Sequence, residues 1–181
     1  MSKLQSITTE EKFYIAGFLD GDGCINAQII RKKDYVLKHQ IRLSVTFYQK
    51  STRAYFLDWL KDKIGVGTLR DNAGVIEYTI VGIPNVLPFL KELQPMLRIK
   101  SKQAELVLQI CEALPPVVKS RNKEQFYELC KLVDLVGDLN DSKIRTVTAL
   151  VVKNDDFFAD MVDNLNNAPT QTILLEENTE E

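Results

Sequence analysis

Histidine occurs once in the 181 residues, at His39. That excludes most histidine-based nucleases and any His-rich zinc site. Cysteine is scarce too: Cys24, Cys111 and Cys130 are an odd number without metal-type spacing, expected as buried free thiols of a reducing compartment. No apolar run reaches 18 residues, so no membrane-spanning helix is expected. The N-terminal stretch MSKLQSITTEEK has no apolar core for secretion and carries acids where a transit peptide is Arg- and Ser-rich. The last 28 residues contain no base at all, only eight acids.

That one-sided tail masks the charge of the rest. The formal net charge is −2, yet residues 1–153 hold all 23 Lys and Arg against 17 acids. Between Arg31 and Arg53 seven cations accompany a single acid, Asp34. A concentrated basic segment of this kind favours a polyanionic partner. The length suits one substantial domain. We expect it over residues 1–165, with residues 166–181 as an acidic, disordered tail.

The most informative stretch is Tyr14-Ile-Ala-Gly17-Phe18-Leu-Asp20-Gly21-Asp22-Gly23. Gly17 and Gly21 are four apart, so they stack on one helical face and admit a second backbone closely. Asp22 falls where the helix is expected to stop, between glycines that allow backbone shapes other residues resist. A carboxylate at the end of a packed helix is a good hard-metal ligand. Two such helices side by side would each present one acid to a shared metal. The plainer alternative, a Gly-Asp-Gly turn closing a helix, remains open on these four residues alone.

The remaining chain predicts an α+β domain. Thr8 and Glu11 form a capping-box pattern opening a helix to about Asp20. Cys24–Arg31 and Leu37–Gln49 predict a hairpin, the second strand alternating strictly between apolar Leu37, His39, Ile41, Leu43, Val45, Phe47 and polar Lys38, Gln40, Arg42, Ser44, Thr46, Tyr48. A helix over 51–63, a second hairpin (68–72 and 75–81 around Ala73-Gly74) and a short helix from Pro84 follow. Helices are then expected over 101–114, closed by Pro115-Pro116, over 123–136, and over 155–164. The order αββαββα plus further helices predicts a four-stranded, mainly antiparallel sheet backed by helices on one face.

On the open face we place Asn26, Gln28, Lys38, Gln40, Arg42, Ser44, Thr46, Thr68, Arg70, Glu77 and Thr79, with Ile30, Asn72 and the loop residues Lys32, Asp34 and Tyr35 at the margins. Amides pair with adenine and Arg with guanine in the major groove, while hydroxyls serve either base. A strand of about 13 residues spans roughly 40 Å, about 12 base pairs. A symmetric pair of ribbons would read roughly 20–24 base pairs as a near-palindrome.

The stretch IAGFLDGDG resembles the signature of the LAGLIDADG homing endonucleases. YVLKHQIRLSV, FLDWLKDKIGVG, LQPMLRIKSKQAELVLQI and LNDSKIR resemble their single-motif, homodimeric branch, over roughly residues 13–153. The resemblance implies an Mg²⁺-dependent DNA endonuclease that cuts both strands across the minor groove and leaves short 3′ overhangs. It implies about two or three Mg²⁺ per dimer site, with Mn²⁺ a substitute and Ca²⁺ supporting binding without turnover. Asp22 and the Gly21 carbonyl would be metal ligands. Gln49, Arg53 and Lys100 would order water and stabilise charge, with Asp20 a structural acid. Gly17, Phe18 and Gly21 would lie in the dimer interface. Asn140, Ser142, Lys143 and Arg145 would touch the DNA backbone. An organellar home is expected. Two rivals stay open: an intron-RNA maturase, and a DNA-binding regulator without catalysis.

Overall fold

The computed structural model describes residues 7–141 and 145–155. Ser142, Lys143, the helix expected beyond Asp155 and the acidic tail lie outside the described residues. The chain runs α1 (Thr9–Asp22), β1 (Gly23–Arg31), β2 (His39–Lys50), a 3-10 turn, α2 (Ala54–Ile64), β3 (Thr68–Asn72), β4 (Val75–Val81), α3 (Ile83–Leu93), α4 (Ser101–Ser120), α5 (Lys123–Leu139) and α6 (Ala149–Asn154). The strands form one sheet in the order β1-β2-β4-β3, and every neighbouring pair is antiparallel.

The period-2 pattern explains the sheet's two faces. Ile25, Ala27 and Ile29 of β1 alternate inward, with Ile41, Leu43, Val45 and Phe47 of β2 and Tyr78 and Ile80 of β4. Against them pack Leu57 and Leu60 of α2, Phe89 and Leu90 of α3, Val107 and Ile110 of α4, and Phe126 of α5. The helices cover that side, and the other side of the sheet stays open. Burial lifts the Cys111 and Cys130 thiols to about 12, so both stay protonated. All three cysteines are free.

Three expectations change. α4 does not end at Pro115-Pro116; it runs through both to Ser120 and closes at Arg121 in a left-handed conformation (φ 56°). Two helical N–H groups are forfeited there, but Leu114 and Val117 on the same face are buried and hold the last turn down. Lys38 is not a strand residue. It sits at φ 54°, closes the β1–β2 loop through a 2.7 Å bond from the Lys32 N–H to its carbonyl, and donates its Nζ to the Lys33 carbonyl.

The third concerns the glycines beside Asp22. Gly21 lies within α1, and Gly23 has φ −104° and ψ 173°, extended backbone with no special demand. Gly23 is required by proximity instead. A Cβ there would stand 2.5 Å from Leu19 Cδ1 and 2.8 Å from the Leu19 carbonyl oxygen. The side chain could yield, whereas the carbonyl cannot, because it accepts the Gly23 N–H that ends the helix. Gly23→Ala should therefore cost about 1–3 kcal/mol, a fall in Tm of roughly 2–4 °C per kcal/mol. An unchanged melting temperature would show that α1 and β1 can separate freely at this junction.

Candidate active site and nucleic-acid interface

Thr8 caps α1 reciprocally with Glu11, and Lys63 of α2 pairs with Glu11 at 2.6 Å. The helix that presents the carboxylates is thus fixed at its start. At its end, Asp20 and Asp22 are two residues apart, a rotation of about 200°, so their side chains leave on opposite sides. Asp20 turns inward and accepts the backbone N–H groups of Arg98 (2.7 Å), Ile99 (3.2 Å) and Lys100 (2.9 Å). Asp22 stays exposed.

The three bonds to Asp20 hold the loop before α4 against the end of α1. Lys100 Nζ donates to the Asp20 carbonyl, among the α1 carbonyls that lack helical donors. Burial on its own would raise the Asp20 pKa; the three N–H donors and the Lys100 charge outweigh it and hold the carboxyl below its usual range. A depressed carboxyl contributes stability that is fully present above its unfolded pKa, about 3.9, and lost as pH falls through the native value. Asp20→Asn should destabilise by about 1–3 kcal/mol near neutrality. That deficit should shrink in acid, as pH falls below the unfolded value and through the lowered native one. Thermal melts of both proteins across pH test this; a pH-independent gap would deny the charge any role.

Gln49 and Arg53 gather on the outward side. Gln49 Nε2 lies 3.4 Å from Asp22 Oδ2, and Arg53 Nη1 lies 3.5 Å from Gln49 Oε1. Both contacts are long, so the three side chains form a loose row at the end of β2. Lys100 lies on the other flank of the α1 terminus. All four expected side chains therefore converge on one helix end. Among the described residues, no group of three or more His, Cys, Asp or Glu could hold a metal. One chain contributes a single outward carboxylate.

Along the motif face, Gly17 and Gly21 are exposed, and a Cβ on either would meet nothing within 4 Å. Phe13 and Tyr14, one turn earlier, are 58% and 59% exposed, and Ile99 beside Asp20 is 73% exposed. Phe18 departs from expectation. Its ring turns into its own chain, stacked on Phe47 at 5.8 Å and edge-on to Phe56 at 4.6 Å.

The open sheet face carries rungs set by register: Ile30 opposite Gln40, Gln28 opposite Arg42, Asn26 opposite Ser44. Further along, Cys24, Thr46, Thr79 and Thr68 form a row across all four strands, and Tyr48, Glu77 and Arg70 another across three. Gln28, Arg42, Thr68, Arg70 and Asn72 are exposed. Ser44 and Thr46, expected to be open, are 9% and 8% exposed. Short side chains on a strand flanked by β1 and β4 are overshadowed by their neighbours, and Thr46 Oγ1 lies 3.2 Å from Thr79 Oγ1. Asn72 Nδ2 donates to Glu77 Oε1 at 3.3 Å. Lys32, Asp34 and Tyr35 are exposed in the loop at the hairpin tip.

Cys24 and Tyr48 belong to this face and were not among the expected readers. Alternation alone places Cys24 with Asn26 and Gln28, and Tyr48 with Thr46. Burial raises both their pKa values, with the Lys100 charge pulling the other way at Cys24. Each is therefore an uncharged donor at neutral pH.

Two residues expected at the DNA backbone have other partners here. Arg145 donates to the Asp134 carbonyl (2.8 Å) and to Asp138 Oδ1. Its guanidinium lies on α5 against Gly137, where even a Cβ would come within 2.9 Å of it. Asn140 Nδ2 donates to the Ile25 carbonyl at 3.1 Å and ties α5 to β1.

Residues 15–113 match the family model described as LAGLIDADG endonuclease. The chain is 47% identical over 140 residues to DNA endonuclease I-CreI of Chlamydomonas reinhardtii, covering 77% of this chain and 85% of that protein. The chain belongs to the LAGLIDADG endonuclease family. To DNA endonuclease I-CvuI of Chlorella vulgaris it is 42% identical over 137 residues, 75% of this chain and 83% of that one. The family fold is matched in three dimensions as well. A crystal structure of I-CvuI bound to its target in the presence of Ca superposes with TM-score 0.77 at 38% identity, over 84% of this chain and 95% of that one. An archaeal intron-encoded homing endonuclease, I-Vdi141I, complexed with DNA, shares the fold at 17% identity, with TM-score 0.69 over 88% of this chain and 98% of that one.

Proposed function

We propose that two copies of this chain form a site-specific DNA endonuclease of the homing type, using a divalent metal, Mg²⁺, held between their Asp22 carboxylates. The observation that carries the reading is the single outward carboxylate at the end of an uncovered Gly17/Gly21 helix face. A phosphodiester is cleaved by activating water and neutralising charge on the phosphate and leaving oxygen, and a bound metal supplies both. The donor set fits a hard cation: a carboxylate from Asp22 and the Gly21 carbonyl, which lies in the last turn where no helical N–H reaches it.

The other residues position and compensate. The Gln49 amide, within reach of Asp22, holds an attacking water by one hydrogen bond. Arg53 fixes the Gln49 carbonyl oxygen and adds positive charge beside the scissile phosphate. Lys100, kept in place by the Asp20 anchor, places an ammonium on the opposite flank. The open sheet enters the major groove, with Gln28, Arg42, Arg70 and Asn72 nearest to base edges. Ser44 and Thr46 form a shallow floor there, closer to shape complementarity than to long-range contact. The two sheets read a near-palindrome of roughly 20–24 base pairs, and the cut leaves short 3′ overhangs. An organellar locus is the setting this reading carries.

The decisive experiment incubates the purified protein with intronless DNA from its own host locus and Mg²⁺. A double-strand break at one position, absent in EDTA, is expected. Tight binding with no break at saturating protein would favour the regulator, and selective binding of intron RNA alone would favour the maturase.

A further inference from the structure

We propose that Asp155 is a positioning residue for DNA recognition: its carboxylate ties both strands of the reading hairpin together from behind and so sets where the outermost base readers point. The inference rests on the open sheet being the face that meets DNA.

The hairpin needs such a tie. β2 pairs with β4 only from Ser44 to Lys50, whereas it pairs with β1 as far back as His39. Beyond Ser44 the sheet narrows to a two-stranded ribbon, which is marginally stable by itself and twists more than a wide sheet. Asp155 meets that ribbon at its last rung, where Arg31 of β1 stands opposite His39 of β2. Arg31 donates Nε to Oδ2 and Nη2 to Oδ1, both at 3.2 Å, a two-pronged geometry that fixes direction as well as distance. The buried His39 places Nε2 3.1 Å from the same Oδ2. The Arg31 guanidinium holds the Asp155 carboxyl below its usual range, so it is ionised at neutral pH. One carboxylate thus spans both strands.

That carboxylate is itself held from the core. Asp155 follows α6 directly, and its N–H donates to the Val151 carbonyl at 2.9 Å. The Ala149 N–H at the start of α6 donates to Asp134 Oδ2 of α5 at 2.8 Å, and Val152 is fully buried. Arg31 and His39 continue the inward alternation of Ile29 and Ile41, while Ile30 and Gln40 share the adjacent rung on the open face. Asp155 therefore lies behind these readers and acts on them through Arg31 and His39. From His39 to Gln49, at the Asp22 end, is ten residue steps, roughly 33 Å or about ten base steps. The readers it governs serve the outer end of each half-site.

The test measures binding in Ca²⁺ and single-turnover cleavage in Mg²⁺ on the mapped host target and its single-base-pair variants. For Asp155→Ala, discrimination against substitutions at the outermost base pairs should fall by roughly five-fold or more. Inner positions should keep theirs within about two-fold. Cleavage of the matched target at saturating protein should stay within about two-fold of wild type. The melting temperature should barely move, since a partly exposed ion pair adds little to stability. Asp155→Glu should restore most of the lost discrimination. Loss of an acid acting by charge alone would instead raise affinity for every sequence alike. Arg31→Gln approaches from the strand side: its lost cation lowers all affinities together and cancels in the ratio of variant to matched target. It should erode the same outer positions, and the double variant should lose no more than either single one. Unchanged discrimination at the outer base pairs, erosion spread evenly along the half-site, or additive losses in the double variant would overturn the proposal. A wild type that neither binds nor cuts any site in the host locus would sink the endonuclease reading, and this inference with it.

Discussion

Asp22→Asn retains the fold and DNA affinity and loses cleavage by at least ~10³-fold, equivalent to about 4 kcal/mol of barrier. The side chain is exposed, and among the described residues its hydrogen bond is with Gln49, long at 3.4 Å, so an amide of the same shape disturbs no packing. What disappears is the negative charge that holds a cation. The neighbouring acid makes an internal control. Asp20→Asn should reduce stability, because that carboxylate carries three backbone N–H groups. The two substitutions, two residues apart on one helix, should therefore separate turnover from stability. Binding by gel shift in Ca²⁺ and cleavage in Mg²⁺ supply the measurements. Mg²⁺-dependent cutting by Asp22→Asn within ten-fold of wild type would remove Asp22 from the metal.

Gly17→Leu should abolish cleavage and dimerisation together while leaving the protomer's melting transition nearly unchanged. The argument rests on empty space. A Cβ at Gly17 meets nothing within 4 Å of its own chain, so a leucine there creates no internal clash. It even improves intrinsic helix propensity by roughly 1 kcal/mol. Any loss must therefore arise where another molecule approaches. Two helices packed through glycine faces bring their backbones close, and an isobutyl group would part them by more than a shared metal tolerates. Sedimentation without DNA should shift from dimer to monomer. A Gly17→Leu protein that still cuts both strands in one encounter would overturn the two-chain mechanism.

The sheet was legible because alternation is a strict signal: from His39 to Tyr48 every apolar position faces in, and the ends of β3 and β4 fall where Ala73-Gly74 predicts a turn. The capping box at Thr8 was equally plain. What escaped was whatever depends on other parts of the chain. Pro115 and Pro116 read locally as a stop, but burial of Leu114 and Val117 carries the helix past them. Lys38 continues the alternation on paper, yet loop closure draws it into a left-handed turn. Spacing set Ser44 and Thr46 on the right face without revealing how far neighbouring strands overshadow them. At the site, the motif located Asp22. That Asp20 holds the loop bearing Lys100 is a contact between residues 80 apart in the chain, invisible to any local pattern. Arg145 likewise was expected at the DNA backbone from the resemblance of LNDSKIR, and it is engaged by two acids of α5.

The single outward carboxylate also governs how such a protein can change. If one chain supplies half the scissors, it also supplies half the alphabet, and every side chain on the open sheet is used twice. A substitution at Arg42 or Gln28 that costs ~1–3 kcal/mol at one base contact costs about double across the full target. Half-sites that drift apart cannot be followed independently by one gene. Adaptation must proceed by changes that suit both halves at once, or await a duplicated copy free to diverge.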